Sequence, residues 1–316
     1  MAKSYLSLRA LVPWRQLPRP LDWEELFGRT APLELEIGFG NGERLVRRAR
    51  RHPERNLVGV EVSWPSLRLT LRKIHRLGLT NLRLVMAGAE VALARLFTPG
   101  SLVRVDALFP CPWPAPRHRR RRLFHRAFLR LLNSRLQEGA FFRMVTDHRG
   151  FFAWVLGQCR DTGFAVAHRR RGPGVETKYE RRWCAAGQEE FYELILCKQR
   201  HQEVPLPEEF PLRRYLVGKL ERGRLEGRRF GDDPLVAFKD LVLDPRRGRG
   251  LLRTVVVEEG FHQTLWLEFR AEEQGWRLRP AEGCGLVPTL GVRWALELAC
   301  ALAEDRPPPP PPPRPR

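Results

Sequence analysis

Short β-branched or apolar runs alternate with helix-like patterns between residues 33 and 198. The runs predict strands at Leu33–Ile37, Leu57–Val62, Leu82–Met86, Val103–Phe109, Ala140–Thr146, Phe164–His168 and Glu190–Cys197. The segments between them predict helices at Glu43–His52, Ser66–Leu77, Glu90–Leu96, Arg119–Leu136 and Phe151–Asp161. This alternation is typical of a doubly wound, mostly parallel sheet, an α/β fold in which ligands bind at the carboxyl ends of the strands.

The pattern changes after Arg200, where prolines at 205, 207 and 211 indicate a linker before an Arg- and Gly-rich stretch. The later pattern predicts antiparallel strands at Leu251–Val257, Thr264–Arg270 and Gly275–Arg279, and an apolar helix at Thr289–Ala303. We therefore expect an α/β domain over 1–200, a basic α+β extension over 201–306 and a proline-rich tail over 307–316. The prolines at 307–313 predict an extended, solvated segment, with a docking site for a proline-binding partner as the alternative.

The charge balance indicates what kind of partner the protein binds. Lys and Arg number 56 against 36 Asp and Glu, a formal charge of +20 that indicates attraction to a polyanion, first of all nucleic acid. The six cysteines form no CxxC pair, which predicts neither a zinc site nor a disulfide framework. No apolar stretch has the length of a signal peptide or a membrane span. We expect a cytoplasmic protein that uses no metal and binds no membrane.

A glycine-rich motif, Glu36-Ile-Gly38-Phe-Gly40-Asn-Gly42, follows the first predicted strand. Glycines at such a turn let the backbone approach a nucleotide closely, and the helix that follows offers free N–H donors. Glu61, at the end of the second predicted strand, is placed to accept hydrogen bonds from both ribose hydroxyls; the alternative is a surface glutamate. Position 43 is Glu where a dinucleotide fingerprint has its third glycine, which favours S-adenosylmethionine over NAD. A nicotinamide dehydrogenase remains a formal alternative.

The second motif is a proline-rich loop followed by arginines, FPCPWPAPRHRRRR, over residues 109–122. The prolines keep the loop extended around Trp113, whose indole can stack on an unpaired base, while the arginines from 117 to 122 can hold phosphates. A solvated first turn of a helix is the alternative for the arginines. Four arginines at a helix amino end oppose the helix dipole, however, and so favour an anionic partner.

This segment resembles the FPDPWPKxRHxKRR signature of tRNA (guanine-N7)-methyltransferases. Three further motifs of that family occur in its order: Gly59-Val-Glu61-Val-Ser63, Thr146-Asp147 and Thr177-Lys-Tyr-Glu-Arg-Arg182. The resemblance spans roughly residues 33–197. It implies a class I, Rossmann-like methyltransferase fold and transfer of a methyl group from S-adenosylmethionine to guanine N7 in the variable loop of tRNA, at tRNA position 46.

The resemblance implies that Glu36 and Glu61 contact the cofactor and that Asp147, Thr177 and Glu180 face the guanosine. With the motifs above, the predicted cofactor site consists of Glu36, Gly38, Gly40, Gly42, Glu61 and Gly88. The predicted tRNA site consists of Trp113, Arg117, His118, Asp147, Thr177, Glu180 and Arg181. The alternatives are a helix N-cap for Asp147 and a flexible basic loop over 169–182.

Three positions depart from the family pattern. Cys111 stands where the family has the aspartate usually proposed as catalytic, Ala115 where it has a lysine, and Gly88 where an acidic or amide residue usually contacts the cofactor. Guanine N7 already carries a lone pair, so positioning and electrostatics are the main requirements of the reaction. The candidate catalytic residues are Asp147 and, at the aspartate's position, Cys111.

Two other functions stay open. The departures are consistent with an inactive paralogue that binds tRNA, and Pro110-Cys111 is consistent with an RNA cytosine-5 methyltransferase in which the thiol attacks the pyrimidine ring. The extension carries a hypothesis of its own, namely tRNA contacts through Arg213, Arg214, Arg222, Arg224, Arg228 and Arg229. Its alternative is a cap that stabilises the catalytic domain.

Overall fold

The computed structural model describes residues 6–175 and 177–313. It divides the chain into two compact units, Met1–Leu206 and Pro207–Arg316, whereas the sequence pattern places a boundary near residue 200. The first five residues of the predicted catalytic domain, residue 176 of the predicted basic loop and residues 314–316 of the predicted tail lie outside the described residues.

The first unit is built on a seven-stranded sheet. Its strands are β1 (Leu33–Ile37), β2 (Asn56–Glu61), β3 (Leu82–Met86), β4 (Leu102–Leu108), β5 (Leu136–Thr146), β6 (Phe164–Arg171) and β7 (Phe191–Lys198). They lie in the order β3-β2-β1-β4-β5-β7-β6. The first five pair in parallel, while β7 is antiparallel to both β5 and β6. The predicted doubly wound, mostly parallel α/β fold is confirmed.

Helices connect these strands. They are α1 (Trp23–Phe27), α2 (Glu43–Arg51), α3 (Trp64–Leu77), α4 (Ala89–Leu96), α5 (Arg126–Arg135), α6 (Arg149–Gln158) and α7 (Lys178–Ala185). The ends of α3 show why the sequence sets these bounds. Pro65 occupies the first turn, where its missing N–H has no helical partner, and Gly78 ends the helix in the left-handed conformation.

All five residues of β1 are buried, including Glu34 and Glu36. Helices cover both faces of a doubly wound sheet, so its central strands have no solvent-facing side. A carboxylate on such a strand requires a cationic or hydrogen-bonding partner. Both glutamates have arginine partners on α2.

The strand order places the predicted motifs at one edge of the sheet. It reverses between β1 and β4, the position where ligands bind in open α/β sheets. The carboxyl ends of the five parallel strands form that edge. Because β7 runs antiparallel to β5, with Tyr192 opposite Thr146, the connection from β6 through α7 to β7 opens at the same edge.

Two predicted elements are wrong. The helix expected over Arg119–Leu136 begins only at Arg126, because a 3₁₀ segment, Pro116–Arg121, precedes it and His125 is its N-cap. The arginine run therefore does not start an α-helix, and the argument from the helix dipole fails. The loop expected over 169–182 is the end of β6, a short connection and the first half of α7.

The second unit is an antiparallel sheet with one long helix. Its elements are β8 (Tyr215–Val217), α8 (Arg222–Leu225), β9 (Arg229–Phe230), β10 (Leu235–Asp244), β11 (Arg249–Glu258), β12 (Phe261–Glu272), β13 (Gly275–Pro280) and α9 (Leu290–Ala303). The strand order is β8-β13-β12-β11-β10-β9. Helix α9 contributes Trp294 and Leu298, among others, to a core shared with Phe238 and Phe269. An α+β extension is confirmed, although the sequence pattern missed β8, β9 and β10.

The proline tail has no helix or strand over 307–313. It is mostly exposed, and the indole nitrogen of Trp294 donates to the Pro309 carbonyl at 3.2 Å. The tail is therefore attached to the second unit at this point. None of the helices among the described residues is long and apolar enough to cross a membrane.

Candidate functional site

The loop between β1 and α2 has the backbone that its glycines predict. Gly38, Gly40 and Gly42 have φ values of 67°, 55° and 70°, in the left-handed region that favours glycine. At Gly42 space is also limiting, because a Cβ there would lie 2.2 Å from the Thr70 hydroxyl. Close packing against α3 thus fixes the start of α2.

The Glu61 carboxylate lies at the end of β2, as predicted, and is bound to the glycine loop. Its Oε2 accepts from the Gly40 N–H at 3.1 Å, and its Oε1 accepts from the N–H groups of Val62 at 2.8 Å and Ser63 at 3.1 Å. Since a carboxylate offers about four lone-pair sites, acceptor capacity remains for further donors. Glu61 therefore orients the loop and remains able to bind a diol.

Beneath the loop, Glu36 belongs to a buried network of charges. Arg44 on α2 donates to Glu36 at 3.1 Å and to Asp106 on β4 at 3.3 Å, and Arg104 donates to Asp106 at 2.8 Å. Burial raises the pKa of Glu36 to about 7, against the opposing effect of Arg44. The two arginines hold the pKa of Asp106 below its usual value although burial acts to raise it. Glu36 is thus the group in this network that changes its charge near neutral pH.

Gly88 lies at the end of β3 and is the N-cap of α4, with φ −67° and ψ 144°. A Cβ at this position would meet no atom within 4 Å, and the backbone is one that any residue adopts. Backbone strain and crowding therefore do not explain a glycine here.

The proline-rich loop after β4 is held in an unusual conformation. Phe109 and Trp113 both have positive φ, 52° and 43°. The Trp113 ring contacts His118 edge-on, with 5.5 Å between centroids, and the Arg121 guanidinium lies 5.1 Å from its centroid. The predicted stacking residue is therefore packed against the His118 and Arg121 side chains of its own loop.

Arg122 anchors this loop. It is buried, and its Nε donates to the Pro112 carbonyl at 3.1 Å, while Nη2 donates to the Trp113 carbonyl at 3.2 Å. Its guanidinium lies 5.1 Å from the Trp154 ring centroid on α6. The other arginines of the run, 117 and 119–121, are exposed, as is Cys111. The run is thus divided between one structural arginine and four that are available to a ligand.

Asp147 follows β5 and is half-buried. The alternative reading as a helix N-cap is wrong, because His148 caps α6 by accepting from the Phe151 N–H at 3.0 Å. Within residues 6–175 and 177–313, the Asp147 carboxylate has no hydrogen-bond or ion-pair partner. A half-buried carboxylate at a ligand-binding edge is therefore left without a donor.

Thr177 and Glu180 shape the start of α7. Thr177 is the N-cap and accepts from the Glu180 N–H at 3.0 Å. The Glu180 carboxylate is buried and accepts from the N–H groups of Gly174 and Val175, both at 2.8 Å. Both side chains thus have structural partners, in contrast to Asp147.

Helix α7 lies over the glycine loop. Arg181 pairs with Glu43 in the first turn of α2, and a methyl group at Gly40 would lie 3.7 Å from Cε2 of Tyr179. The space between the two segments is lined by Glu36, Gly38 and Thr177, among others, and holds about 20 Å³, room for little more than one water molecule. A larger cavity, about 340 Å³, lies at the opposite edge, beside Gly78 and Thr80, and contains none of the predicted site residues.

The sequence patterns missed Arg44 and Asp106, and they assigned Arg122 to phosphate binding although it is buried and anchors the loop. For Asp106 a signal was present, because a carboxylate inside an apolar strand pattern requires a buried cation. Arg44 and Arg122 each lie among several arginines, and residue type alone does not distinguish the structural member of such a run.

The arginines expected to contact tRNA from the extension are of two kinds. Arg222 donates to the Leu241 carbonyl and pairs with Glu226, and Arg224 pairs with Glu221. The other four, Arg213, Arg214, Arg228 and Arg229, are exposed, as is Arg222 despite its partners. In the part of the chain that the structure describes, no group of three His, Cys, Asp or Glu side chains is arranged to hold a metal ion.

Comparison with known proteins gives the site a context. Residues 30–193 match a family described as putative methyltransferases. The tRNA (guanine-N(7)-)-methyltransferase of Thermus thermophilus is 38% identical over 84% of this chain and 86% of that protein. The enzyme of the same description from Thermotoga maritima is 34% identical over 89% of this chain and 93% of that protein. Both alignments are longer than the first unit, so they extend into the second.

Among solved structures, a 16S rRNA (adenine(1408)-N(1))-methyltransferase from Catenulisporales acidiphilia is similar, with a TM-score of 0.43 and 20% identity. It covers 58% of this chain and 94% of that chain.

Proposed function

Because this chain belongs to the tRNA (guanine-N7)-methyltransferase family, we propose that it transfers the methyl group of S-adenosylmethionine to N7 of a guanosine in tRNA. The product besides methylated tRNA is S-adenosylhomocysteine. By resemblance of the motifs, the target lies in the variable loop.

One observation of the site supports this proposal independently of family membership. The half-buried Asp147 carboxylate, which has no donor among the described residues, ends the strand two places from the one that carries the glycine loop. A guanine base presents N1–H and its exocyclic amino group side by side, and a carboxylate accepts from both. Asp147 is thereby suited to hold the base by the edge opposite N7.

The residues beside the glycine loop suit S-adenosylmethionine. Glu61 retains acceptor capacity for the ribose hydroxyls, and the backbone at Gly38 and Gly40 carries no side chain that blocks close approach. Glu36 supplies a carboxylate for the ammonium group of the methionine part. The cofactor supplies an electrophilic methyl group on sulfur; the chain's residues orient it and the base.

The space beneath α7 is too small for the methionine part of the cofactor. Cofactor binding therefore requires the first turn of α7 to move away from Gly40. The Arg181–Glu43 ion pair opposes this movement.

Methyl transfer needs no general base, because N7 attacks with its own lone pair. The purine ring gains positive charge as the bond to carbon forms and the bond to sulfur breaks, and the resulting sulfide is neutral. Alignment and nearby negative charge are what the site has to provide. Asp147 offers that charge, and for this reason Cys111 at the position of the family's aspartate is compatible with activity.

We place the reaction in the cytoplasm. All six cysteines are free thiols, as expected of a protein in a reducing compartment. Cell fractionation followed by detection of the protein tests this placement.

The decisive experiment identifies the product. The full-length protein is incubated with unmodified tRNA and S-adenosylmethionine labelled in the methyl group, and the RNA is digested to nucleosides. We expect labelled 7-methylguanosine. Label in 5-methylcytidine assigns the chemistry to Cys111 instead, and tRNA binding without label assigns the chain to the inactive paralogues.

A further inference from the structure

One face of α2 consists of arginines. Positions 44, 47, 48 and 51 follow the i, i+3, i+4, i+7 spacing that places residues on one side of a helix. Together with Arg143 on β5 they line a cleft of about 220 Å³. His52, Gly174 and Val175 complete its walls, and none of the lining residues is a carboxylate.

The cleft adjoins the site described above. Arg44 lines both this cleft and the space beneath α7. The Glu180 carboxylate of α7 accepts from the N–H groups of Gly174 and Val175, which also line this cleft. A polymer whose target base lies beside Asp147 is therefore able to reach the cleft with its backbone.

The buried carboxylates behind the cleft are shared between arginines. Glu34 accepts from Arg48 and, at 2.7 Å, from Arg55, and Arg55 also pairs with Glu54. These two arginines and two carboxylates balance in charge, so the excess of positive charge lies around Glu193.

Glu193 on β7 is shared in the same way. It accepts from Arg143 at 2.7 Å and from Arg169 at 2.5 Å, and Arg171 is 3.9 Å away, too far for a hydrogen bond. The three arginines thus carry two more charges than the one carboxylate neutralises.

Arg51, at the end of α2, offers donors to the cleft directly. It lines the cleft, is exposed and has no ion-pair partner among the described residues. Arg171 is not a lining residue; its Nη1 atom is buried, lies 3.9 Å from the Glu193 carboxylate and has no hydrogen-bond partner among the described residues.

We propose that this cleft, lined by the arginine face of α2 and Arg143, binds phosphodiester groups of the tRNA backbone beside the methylated nucleotide. This rests on the proposed function. Guanidinium groups match phosphate oxygens in pairs, and five of the lining residues are arginines, whereas the lining contains no Phe, Tyr or Trp side chain on which a base could stack. The cleft therefore positions the RNA without reading its sequence.

The test uses arginines that take no part in the proposed chemistry. In the full-length chain, Arg47→Gln and Arg51→Gln are combined, and binding of unmodified tRNA is measured at several salt concentrations. Arg50→Gln is the matched control, because Arg50 is exposed on the same helix and does not line the cleft. Arg51→Gln alone, a change at an exposed side chain, serves as a second variant in case the double variant is unstable.

We expect the double variant to lose about tenfold in tRNA affinity and the slope of log affinity against log salt concentration to fall by about 1.5, the value for two lost phosphate contacts. In Arg51→Gln alone, the slope falls by about half as much as in the double variant. In Arg50→Gln, the slope keeps its wild-type value. Affinity for S-adenosylhomocysteine, measured by calorimetry, stays at the wild-type value.

Two results overturn the proposal. In the first, both cleft variants have the salt slope of Arg50→Gln. In the second, S-adenosylhomocysteine affinity falls with tRNA affinity, which assigns the cleft to the cofactor. Both readouts are independent of methyl transfer, so failure of the proposed function, seen as absence of 7-methylguanosine with the wild-type chain, is a separate result.

Discussion

The two halves of the ligand-binding edge hold their polar groups in different states. On the side of β1 to β3, Glu61 already accepts from three backbone N–H groups and Glu36 is paired with Arg44. On the side of β4 and β5, Asp147 is half-buried without a partner in the described part of the chain, and Cys111 is exposed. The proposed cofactor half thus has carboxylates that are already paired within the chain, whereas the proposed guanosine half has an acceptor without a donor among the described residues.

This difference predicts which measured property each half affects. Groups that are prepaired restrict the shape of a binding site and lower the entropy lost on binding. An acceptor without a donor gains a partner at the moment of binding and so discriminates between ligands. We therefore expect changes in the first half to alter cofactor affinity and changes in the second to alter the reaction with tRNA.

The largest expected effect is a loss of activity towards tRNA without a change in cofactor affinity. In Asp147→Asn, the amide replaces an acceptor with a donor that faces the N1–H or amino group of guanine, so kcat/KM for tRNA falls about 100-fold. S-adenosylhomocysteine affinity stays unchanged. Asp161→Asn, on an exposed residue after α6, is the control. A loss of less than threefold in kcat/KM for Asp147→Asn removes Asp147 from the guanosine site.

The next effect belongs to the cofactor half and depends on pH. The pKa of Glu36 is raised to about 7, so this carboxyl is mostly protonated at pH 6 and mostly ionised at pH 8. The ionised form is the one that attracts the ammonium group of the cofactor, and S-adenosylhomocysteine affinity therefore rises about tenfold from pH 6 to pH 8. Calorimetry across this range measures it. In Glu36→Gln the dependence disappears; a variant that keeps it shows that another group titrates.

A smaller effect tests the connection between the halves. Arg181→Ala removes the ion pair to Glu43 that holds α7 over the glycine loop. Because both side chains are partly exposed, the pair is worth at most about 1 kcal/mol. We expect S-adenosylhomocysteine to bind up to about fivefold more tightly in the absence of tRNA. Arg182→Ala, whose guanidinium lies against Trp183 instead, is the control. Weaker binding in Arg181→Ala contradicts the outward movement of α7.

The smallest effect comes from restoring a side chain. Position 88 has an extended backbone and free space, so Gly88→Asp introduces an N-cap for α4 that raises the free energy of unfolding by a few tenths of a kcal/mol. It also returns an acceptor to the end of β3, from which we expect a severalfold gain in cofactor affinity. Gly88→Ala adds the Cβ alone. Equal cofactor affinity in the two variants means that position 88 does not contact the cofactor.

The sequence alone was sufficient to predict the elements whose structure is determined by the burial of apolar residues. Strands β1 to β4 were predicted to within one residue at each end, because each is an apolar run bounded by loop residues. The glycine loop and Glu61 followed from the same reasoning, since both depend on where a strand ends.

The elements that were missed depend on contacts between distant or polar residues. Helix α7 lies in an arginine-rich segment without an apolar stripe, and its start is set by the Thr177 cap and the Glu180 carboxylate. The late start of α5 has a similar cause, because Arg122 is held by loop carbonyls and does not enter a helical turn. Periodicity of apolar residues contains no information about either arrangement.

The position of β7 in the sheet has a consequence for the order of assembly. It is the last strand of the first unit to be synthesised, yet it lies between β5 and β6. During translation the ribosome releases β1 to β6 before β7 emerges, so β5 and β6 have no strand between them until then. A nascent chain therefore completes the sheet beyond β5 only once residue 198 has left the exit tunnel.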